Sequence, residues 1–207
     1  MVNRVRIRFR KQADLRLTSH RDMMRAVERL LRRADIAVCQ SEGFHPKPRI
    51  HYPASLALGM TGLDEVLEAD LVEPLSPPEL LARLNQHSLP GLDFIAVEPL
   101  SPQGKKGQAC RLRFEVTLAN EQVESVREKA ALLMAAPAQV IERDGKPLDI
   151  RPLVEALSID EGVLAMRLRV VNEAGARPRD VLAALGFSTD EVLDMAISRT
   201  EVQLAPE

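Results

Sequence analysis

The stretch RVRIRFR, residues 4–10, alternates strictly between arginine and an apolar residue. Successive side chains of a β-strand point to opposite faces of a sheet, so this pattern predicts a strand with one buried and one cationic face. Val5, Ile7 and Phe9 would then point into the core. The same alternation returns in CRLRFEVTL, residues 110–118, which suggests that the chain contains two similar halves.

The predicted elements between residues 4 and 100 follow the order β-α-β-β-α-β. The first helix begins after Ser19, a preferred capping residue with Asp22 three positions later, and runs to about Asp35. Further strands are expected in IHYPASLAL, EVLEADLVE and LDFIAVEPL, and a second helix in SPPELLARLNQHS. This order is that of the ferredoxin-like motif, an antiparallel sheet with both helices on one face.

The chain divides into two such halves joined by a short connection. Residues 1–100 form the first half, the polar stretch SPQGKKGQA (101–109) is predicted to be a linker, and residues 110–207 repeat the element order more loosely. Second-half strands are expected near AQVIER, GVLAMRLRV and MAISRTEVQL, and helices at NEQVESVREKAALLMAA and RPRDVLAALGF. The segment 145–160 does not fit this scheme. We therefore predict an α+β protein of two tandem ferredoxin-like halves with antiparallel sheets.

The net charge of −2 conceals a strong asymmetry along the chain. Residues 1–51 carry 13 lysines and arginines against 5 acidic residues, whereas residues 52–100 carry 1 against 8. A basic block beside an acidic one indicates an anionic partner for the first, and nucleic acid is the commonest such partner. The alternative is that the two blocks face each other or are simply solvated.

Composition and motifs disfavour several other classes of protein. Cys39 and Cys110 stand alone without close ligand spacing, so no disulfide, metal site or iron–sulfur cluster is predicted, and no cofactor. Zinc held by histidines and Asp22 would be possible chemically, but none of the familiar histidine spacings is present. The sequence has no apolar run of about 18 residues and no secretory h-region, so we expect no membrane association and a cytoplasmic location.

The first helix and the loop after it carry most of the candidate anion-binding side chains. Arginines recur on one helix face at three- and four-residue spacing, and SEGFHPKPRIHYP (41–53) is stiffened by prolines. Guanidinium groups match phosphate oxygens bidentately, and a helix N-terminus favours anions. The predicted set comprises Arg6, Arg8, Ser19, His20, Arg21, Arg25, Arg29, His45, Lys47 and Arg49, extended in the second half by Arg151, Arg177 and Arg199.

Each group of arginines also has a structural alternative. The strand arginines, including Arg111 and Arg113, could pair with the acidic strand around Glu65 to Glu73 or with acidic residues of the other half. The second-half arginines could instead cap helix ends or pair with nearby carboxylates. With no Trp and one Tyr, the chain lacks a broad stacking platform, which favours phosphate or shape recognition over base readout.

Several stretches together resemble an uncharacterised bacterial family, the radical SAM-linked proteins. DLRLTSHRDMMRAVERLLRRADI (14–36) is similar to the family's L-R-x-x-S-H-x-D-x-x-R-x-x-E-R-x-x-R-R helix, and QSEGFHPKPRI (40–50) to its loop S-Q-G-F-N/H-P-H/K-P-R. LGMTGLDEVLEADL, DIRPLVEAL, RPRDVLAALGF and SRTEVQL match in the same order. Ala13, Thr18 and Glu42 depart from the pattern without changing a charged family position.

The resemblance implies work beside a radical SAM enzyme, because the family's domain of unknown function occurs alone or fused behind such a domain. We therefore expect an RNA-binding or RNA-positioning accessory module of a tRNA or rRNA modification system, with RNA and a radical SAM enzyme as partners and no catalysis of its own. Two alternatives stay open. One is a metal-independent ribonuclease with His20 and His45 as acid/base pair. The other is a protein–protein adaptor for a radical SAM subunit that uses the acidic stretch 64–73.

Overall fold

The computed structural model describes residues 3–143, 145–171 and 174–206. The chain forms two compact units, Met1–Gln108 with Leu204–Glu207, and Ala109–Gln203. Both units are of mixed α+β type, and the strand pairs whose register is defined are antiparallel. Among the described residues, none of the helices has the length and apolar character needed to span a membrane.

The first unit is a four-stranded sheet with two helices. Its strands are β1 (Asn3–Lys11), β2 (Ile50–His51), β3 (Thr61–Leu71) and β4 (Leu92–Leu100); α1 (His20–Arg33) follows β1, and α2 (Pro77–Gln86) follows β3. β1 pairs antiparallel with β3 on one side and with β4 on the other, while β2 pairs antiparallel with β3. The strand order is therefore β4-β1-β3-β2.

The alternation in β1 sets the core of the first unit, as predicted. Val5, Ile7 and Phe9 are buried against apolar side chains of both helices, which include Val27 and Leu30 of α1 and Leu80 and Leu84 of α2. Both helices thus cover the same face of the sheet. The predicted cap of α1 is also confirmed, because the Ser19 hydroxyl accepts a hydrogen bond from the Asp22 backbone N–H at 3.1 Å.

The second unit also combines strands and helices. Its elements in chain order are β5 (Ala109–Thr117), α3 (Val123–Ala135), β6 (Val140–Arg143), β7 (Lys146–Asp149), β8 (Val154–Asp160), β9 (Val163–Val171), β10 (Ala174–Gly175), α4 (Pro178–Ala184), α5 (Thr189–Asp194) and β11 (Ile197–Leu204). β9 pairs antiparallel with β5 and β8, and β11 lies beside β5. The order of the main strands is therefore β8-β9-β5-β11.

The strand expected near AQVIER does not join this main sheet. It is β6, which pairs with β7 in a separate two-stranded hairpin. The strand beside β9 is instead β8, which lies in the segment 145–160 that does not fit the predicted element order. The burial of β8 is consistent with this choice, because Val154 is buried and Leu157 and Ile159 are partly buried while Ala156 and Ser158 are exposed, whereas Val140 of β6 is largely exposed.

Candidate nucleic-acid interface

Acidic side chains of β3 neutralise three arginines of β1. Arg4 Nη2 and Arg6 Nη2 donate to the two carboxylate oxygens of Glu68 at 2.6 and 2.9 Å, and Arg8 Nη1 donates to Asp64 at 2.5 Å. The antiparallel register places Glu68 directly opposite Arg6, which is why the contact forms. These three arginines therefore adopt the cross-strand pairing that was the alternative to phosphate binding.

Glu68 is the centre of a buried polar cluster. Its side chain is only 1% exposed, and besides the two guanidinium groups it accepts the backbone N–H of Gly107 at 3.0 Å. Burial alone would raise the pKa of Glu68, but hydrogen bonds from Gly107, Arg6 and Arg4, together with the charge of Arg4, lower it below its ordinary value. The Glu68 carboxylate is therefore ionised at neutral pH, and both of its oxygens accept hydrogen bonds.

The same cluster contacts Gly104 and Gly107, which lie in the stretch 101–109 that was predicted to be a linker. Arg4 Nη1 donates to the Gly104 carbonyl oxygen at 2.5 Å, and the His51 Nε2 atom lies 2.7 Å from the Gly107 carbonyl oxygen. A Cβ atom at Gly107 would lie 2.5 Å from a carboxylate oxygen of Glu68, so the close approach requires glycine there. This segment consequently packs on the first unit rather than running free.

The arginines on α1 have a different environment from those on β1. Arg21, Arg29 and Arg32 are exposed, and none of them forms an ion pair or side-chain hydrogen bond with another residue that the structure describes. Arg25 is also exposed and lies 3.6 Å from Asp22, a weak pair in water. The four side chains fall within about 80° of arc and about 17 Å of helix, and we call them the α1 arginine stripe.

Residues 41–47 form a tight, well-braced loop between α1 and β2. The Ser41 N–H donates to the Lys47 carbonyl oxygen at 2.8 Å, and the Lys47 N–H donates to the Ser41 hydroxyl at 3.0 Å. Gly43 turns the chain at a φ of +118°, a conformation that glycine adopts at little cost. The residues flanking the loop form an antiparallel bridge, so the backbone is held at both ends.

The predicted anion-binding residues of this loop are exposed. His45 and Lys47 form no ion pair or side-chain hydrogen bond with the described residues, and Arg49 Nη1 lies 3.9 Å from Asp70. Phe44, at the tip of the loop, is fully exposed. The loop therefore presents an uncompensated cation at Lys47 and a solvent-facing aromatic ring.

A recess near the start of α1 brings together four polar side chains. Lys11, His20, Tyr52 and Glu65 line it together with apolar side chains, and its empty volume, including the part open to solvent, is about 280 Å³. The rings of His20 and Tyr52 meet edge to face, with 5.3 Å between centroids and 86° between planes. His20 is the one member of the predicted anion-binding set among the residues that line this recess.

Buried polar groups dominate the chemistry of the recess. Lys11 and Glu65 are 2% and 4% exposed, and Lys11 Nζ donates to the Thr18 carbonyl oxygen at 2.7 Å. The Tyr52 hydroxyl oxygen is buried without a hydrogen-bond partner in the described chain. Burial, reinforced by the negative charge of Glu28, raises the pKa of Tyr52, so the phenol stays protonated at neutral pH.

The second unit uses its predicted anion-binding arginines differently. Arg151 donates through its two Nη atoms to the carbonyl oxygens of Val154 and Met134, at 2.9 and 2.7 Å, and so closes the C-terminal end of α3. Arg177 is the N-cap residue of α4. Arg199 is 2% exposed, which leaves almost no surface for a phosphate to contact. Arg151 thus closes a helix end, which is one of the structural roles considered as its alternative.

Arg111 and Arg113 also have carboxylate partners. Arg111 Nε lies 2.7 Å from Glu155, which Arg169 contacts as well, and Arg113 Nη2 lies 3.0 Å from Glu115. Burial raises the pKa of Glu155, but hydrogen bonds from Arg111 and Arg169 outweigh it and lower the pKa. Arg4, Arg6 and Arg8 of the first unit and Arg111, Arg113 and Arg169 of the second therefore have carboxylate partners within their own unit.

The two histidines considered as an acid/base pair have separate surroundings. The His20 ring packs against Tyr52 in the recess, whereas His45 lies in the exposed 41–47 loop. In residues 3–143, 145–171 and 174–206, no three histidine, cysteine or acidic side chains are grouped so as to hold a metal ion. His20 thus faces the recess, and its contacts do not support an acid/base pair with His45.

Two residues that line the recess, Lys11 and Glu65, can be recognised from their positions in the strand alternation. Lys11 continues the apolar phase of β1 two residues after Phe9, and Glu65 lies in phase with the buried Leu67 of β3. A charged residue in the apolar phase of a strand indicates a buried polar group. Tyr52 and Phe44 lie in loops, where no periodicity distinguishes a buried ring from an exposed one.

Comparisons with known proteins identify a family but assign no activity. A family model described as an uncharacterized protein conserved in bacteria (DUF2344) matches residues 4–178. No curated protein matches the chain. Among solved structures, an unknown protein from Galdieria sulphuraria is similar, with 13% sequence identity, complete coverage (100%) of both chains and a TM-score of 0.29.

Proposed function

The chain belongs to the DUF2344 family of uncharacterized proteins conserved in bacteria, and we propose that it is an RNA-binding or RNA-positioning module that assists an RNA-modifying enzyme. The observation that carries this proposal is the α1 arginine stripe, whose guanidinium groups face solvent. Phosphates can reach these groups without breaking a strong ion pair, whereas Arg4, Arg6 and Arg8 of β1 are already paired. The link to a radical SAM enzyme, and to tRNA or rRNA, rests on the sequence resemblance.

The 41–47 loop supplies the second part of the proposed RNA contact. Lys47 adds an uncompensated charge, and the braced backbone reduces the entropy lost when the loop is ordered by a ligand. Ser19 hydrogen-bonds Asp22, so the start of α1 already carries a carboxylate. We therefore assign phosphate binding to the stripe and Lys47, with Arg49 as a partly neutralised neighbour.

The environment of the acidic stretch 64–73 favours RNA binding over the adaptor alternative. Asp64 pairs with Arg8, Glu65 and Glu68 are buried, and Asp70 lies within 4.0 Å of Arg4. Little of the stretch's negative charge is left for a protein partner to bind. The ribonuclease alternative has weaker support still, because the surroundings of His20 and His45 differ.

The strand orders support a finer description of the fold, in which each unit is ferredoxin-like. In the β-α-β-β-α-β motif the first strand lies between the third and the fourth, and the second lies at the edge. β1 lies between β3 and β4, and β5 lies between β9 and β11. On this interpretation the β6–β7 hairpin is an insertion between the first helix and second strand of the second unit.

Binding to RNA can be measured by fluorescence anisotropy with a labelled single-stranded RNA and with total tRNA, over a range of salt concentrations. We expect a linear fall of log affinity with log salt. The Arg21→Ala, Arg29→Ala, Arg32→Ala variant should lose up to about 2 units of the slope, since each phosphate contact on a single strand contributes about 0.7. Gel analysis of the same RNA checks for cleavage.

A charge-matched control separates a specific surface from net charge. The Arg127→Ala, Lys129→Ala, Lys146→Ala variant removes three exposed cations from the second unit and changes the net charge equally. It should bind RNA as the wild type does. Absence of salt-sensitive binding by the wild type, or equal losses in the two triple variants, would refute the proposed interface. Shortened RNA that disappears with His20→Ala would favour the enzyme alternative instead.

A further inference from the structure

Phe44 is the one phenylalanine of the chain that lies in solvent. The chain has five phenylalanines, and the other four, Phe9, Phe94, Phe114 and Phe187, are buried. Full exposure of an aromatic ring forfeits the hydrophobic stabilisation that burial would give. The ring therefore contributes nothing evident to folding, and its position calls for another explanation.

The exposure of Phe44 comes from a braced loop and not from a loose chain end. The two Ser41–Lys47 hydrogen bonds close the loop beneath the ring, and Gly43 provides the turn immediately before it. Pro46 and Pro48 fix φ on the other side. Because the backbone is already ordered, a ligand that covers the ring loses little loop entropy on binding.

The surroundings of the ring fit a nucleic-acid base better than a protein surface. Residues 40–49 contain no other large apolar side chain, whereas a protein interface has a contiguous apolar core. His45, Lys47 and Arg49 follow the ring in sequence, and Glu42 is the one acidic residue of the loop. A single aromatic ring next to cations is the arrangement with which proteins stack an unpaired base and hold its phosphates.

We propose that Phe44 stacks on an unpaired base of the bound RNA, so that the 41–47 loop selects single-stranded or unstacked nucleotides. This inference rests on the proposed RNA binding and adds the class of RNA to it. It assigns separate tasks to the two parts of the surface: the α1 arginine stripe binds phosphates of any sequence, and Phe44 requires an accessible base.

The two tasks can be separated with two labelled strands of equal length, one of ordinary RNA and one with an abasic ribose-phosphate backbone. Phe44→Ala should weaken binding to the ordinary strand by about fivefold to tenfold, near the lower end of the range for one stacked base. It should leave binding to the abasic strand and the salt slope unchanged. The arginine triple variant should weaken binding to both strands.

Two substitutions at the same position distinguish stacking from simple apolar contact. Phe44→Trp keeps an aromatic plane and should retain or improve binding, whereas Phe44→Leu keeps an apolar side chain and should bind about as weakly as Phe44→Ala. Circular dichroism should show all three variants folded, because the ring is exposed.

The outcomes also separate this inference from the function on which it rests. If the wild type binds both strands through the arginine stripe and Phe44→Ala changes neither, stacking is refuted while RNA binding stands. Equal losses on the ordinary and abasic strands, or wild-type binding by Phe44→Leu, would overturn stacking as well. If the wild type binds neither strand, the proposed function fails, and binding of Phe44 to a protein partner takes its place.

Discussion

Replacement of Glu68 by glutamine tests whether the buried cluster of the first unit stabilises the fold. The substitution keeps the size of the side chain and can still accept the Gly107 N–H, but it removes the negative charge between Arg4 and Arg6. Both guanidinium groups would then lose their closest counter-ion while remaining largely shielded from water. Removing one partner of a buried ion pair leaves an uncompensated charge, which is strongly destabilising.

The size of the effect follows from the burial of the three side chains. Breaking such a pair costs about 3–5 kcal/mol when both groups are buried. Arg4 is 8% exposed and keeps its bond to Gly104, and Arg6 is 15% exposed, so we expect the lower end, about 3 kcal/mol. For a unit of this size that corresponds to a fall in Tm of roughly 10–20 °C.

The pH dependence provides a second, independent signature. Because the folded-state pKa of Glu68 is lowered, its stabilising contribution is fully present above the ordinary value of 4.5 and is lost as pH falls through the folded-state value. The difference in the free energy of unfolding between the wild type and Glu68→Gln should therefore be largest at neutral pH. It should shrink as the pH is lowered below 4.5.

Urea unfolding followed by far-UV circular dichroism measures this difference, and hydrogen exchange of β1 and β3 peptides assigns it to the first unit. Glu98→Gln is the matched control, because Glu98 faces the same Arg6 at 3.9 Å but is 54% exposed. It should cost less than about 0.5 kcal/mol. If Glu68→Gln is as mild as Glu98→Gln, or its effect does not depend on pH, the cluster does not stabilise the unit as reasoned.

Two further substitutions test other features of the first unit by the same unfolding measurements. Tyr52→Phe removes a buried hydroxyl without a partner, so stability should be unchanged or rise by up to about 1 kcal/mol; a clear loss would mean that the hydroxyl is hydrogen-bonded in solution. Gly91→Ala should destabilise by more than about 1 kcal/mol, because φ is +82° and the new Cβ would lie 2.4 Å from the Gln12 carbonyl oxygen. Gly145→Ala is the control for Gly91→Ala, because Gly145 has a similar φ of +74° but open space around it, and it should destabilise the protein less. Equal losses of stability would argue against the close approach at Gly91.

The sequence predicted correctly those elements that are determined by interactions between residues close together in the chain. The alternation of β1 and the cap at Ser19 act within a few residues, and both appear in the structure as expected. The choice between β6 and β8 as the partner of β9 depends on pairing between distant segments, which periodicity cannot rank. The recess near His20 was missed for the same reason, since it joins β1, α1, β3 and a loop.

The charge of a basic block overstates the charge that a ligand can use. Residues 1–51 carry 13 cationic side chains, but Arg4, Arg6 and Arg8 are neutralised by carboxylates about 60 residues away in the sequence, a pairing set by strand register. Thirteen phosphate contacts on a single strand would give a salt slope of about 9, and the ten cations that remain without Arg4, Arg6 and Arg8 would give about 7, whereas Arg21, Arg29, Arg32 and Lys47 alone would give about 3. A measured slope near 3 would support the proposed contact set of Arg21, Arg29, Arg32 and Lys47, whereas a slope near 7 would mean that the other exposed cations of the block also contact phosphates. A slope near 9 would require Arg4, Arg6 and Arg8 to exchange Glu68 and Asp64 for phosphates on binding.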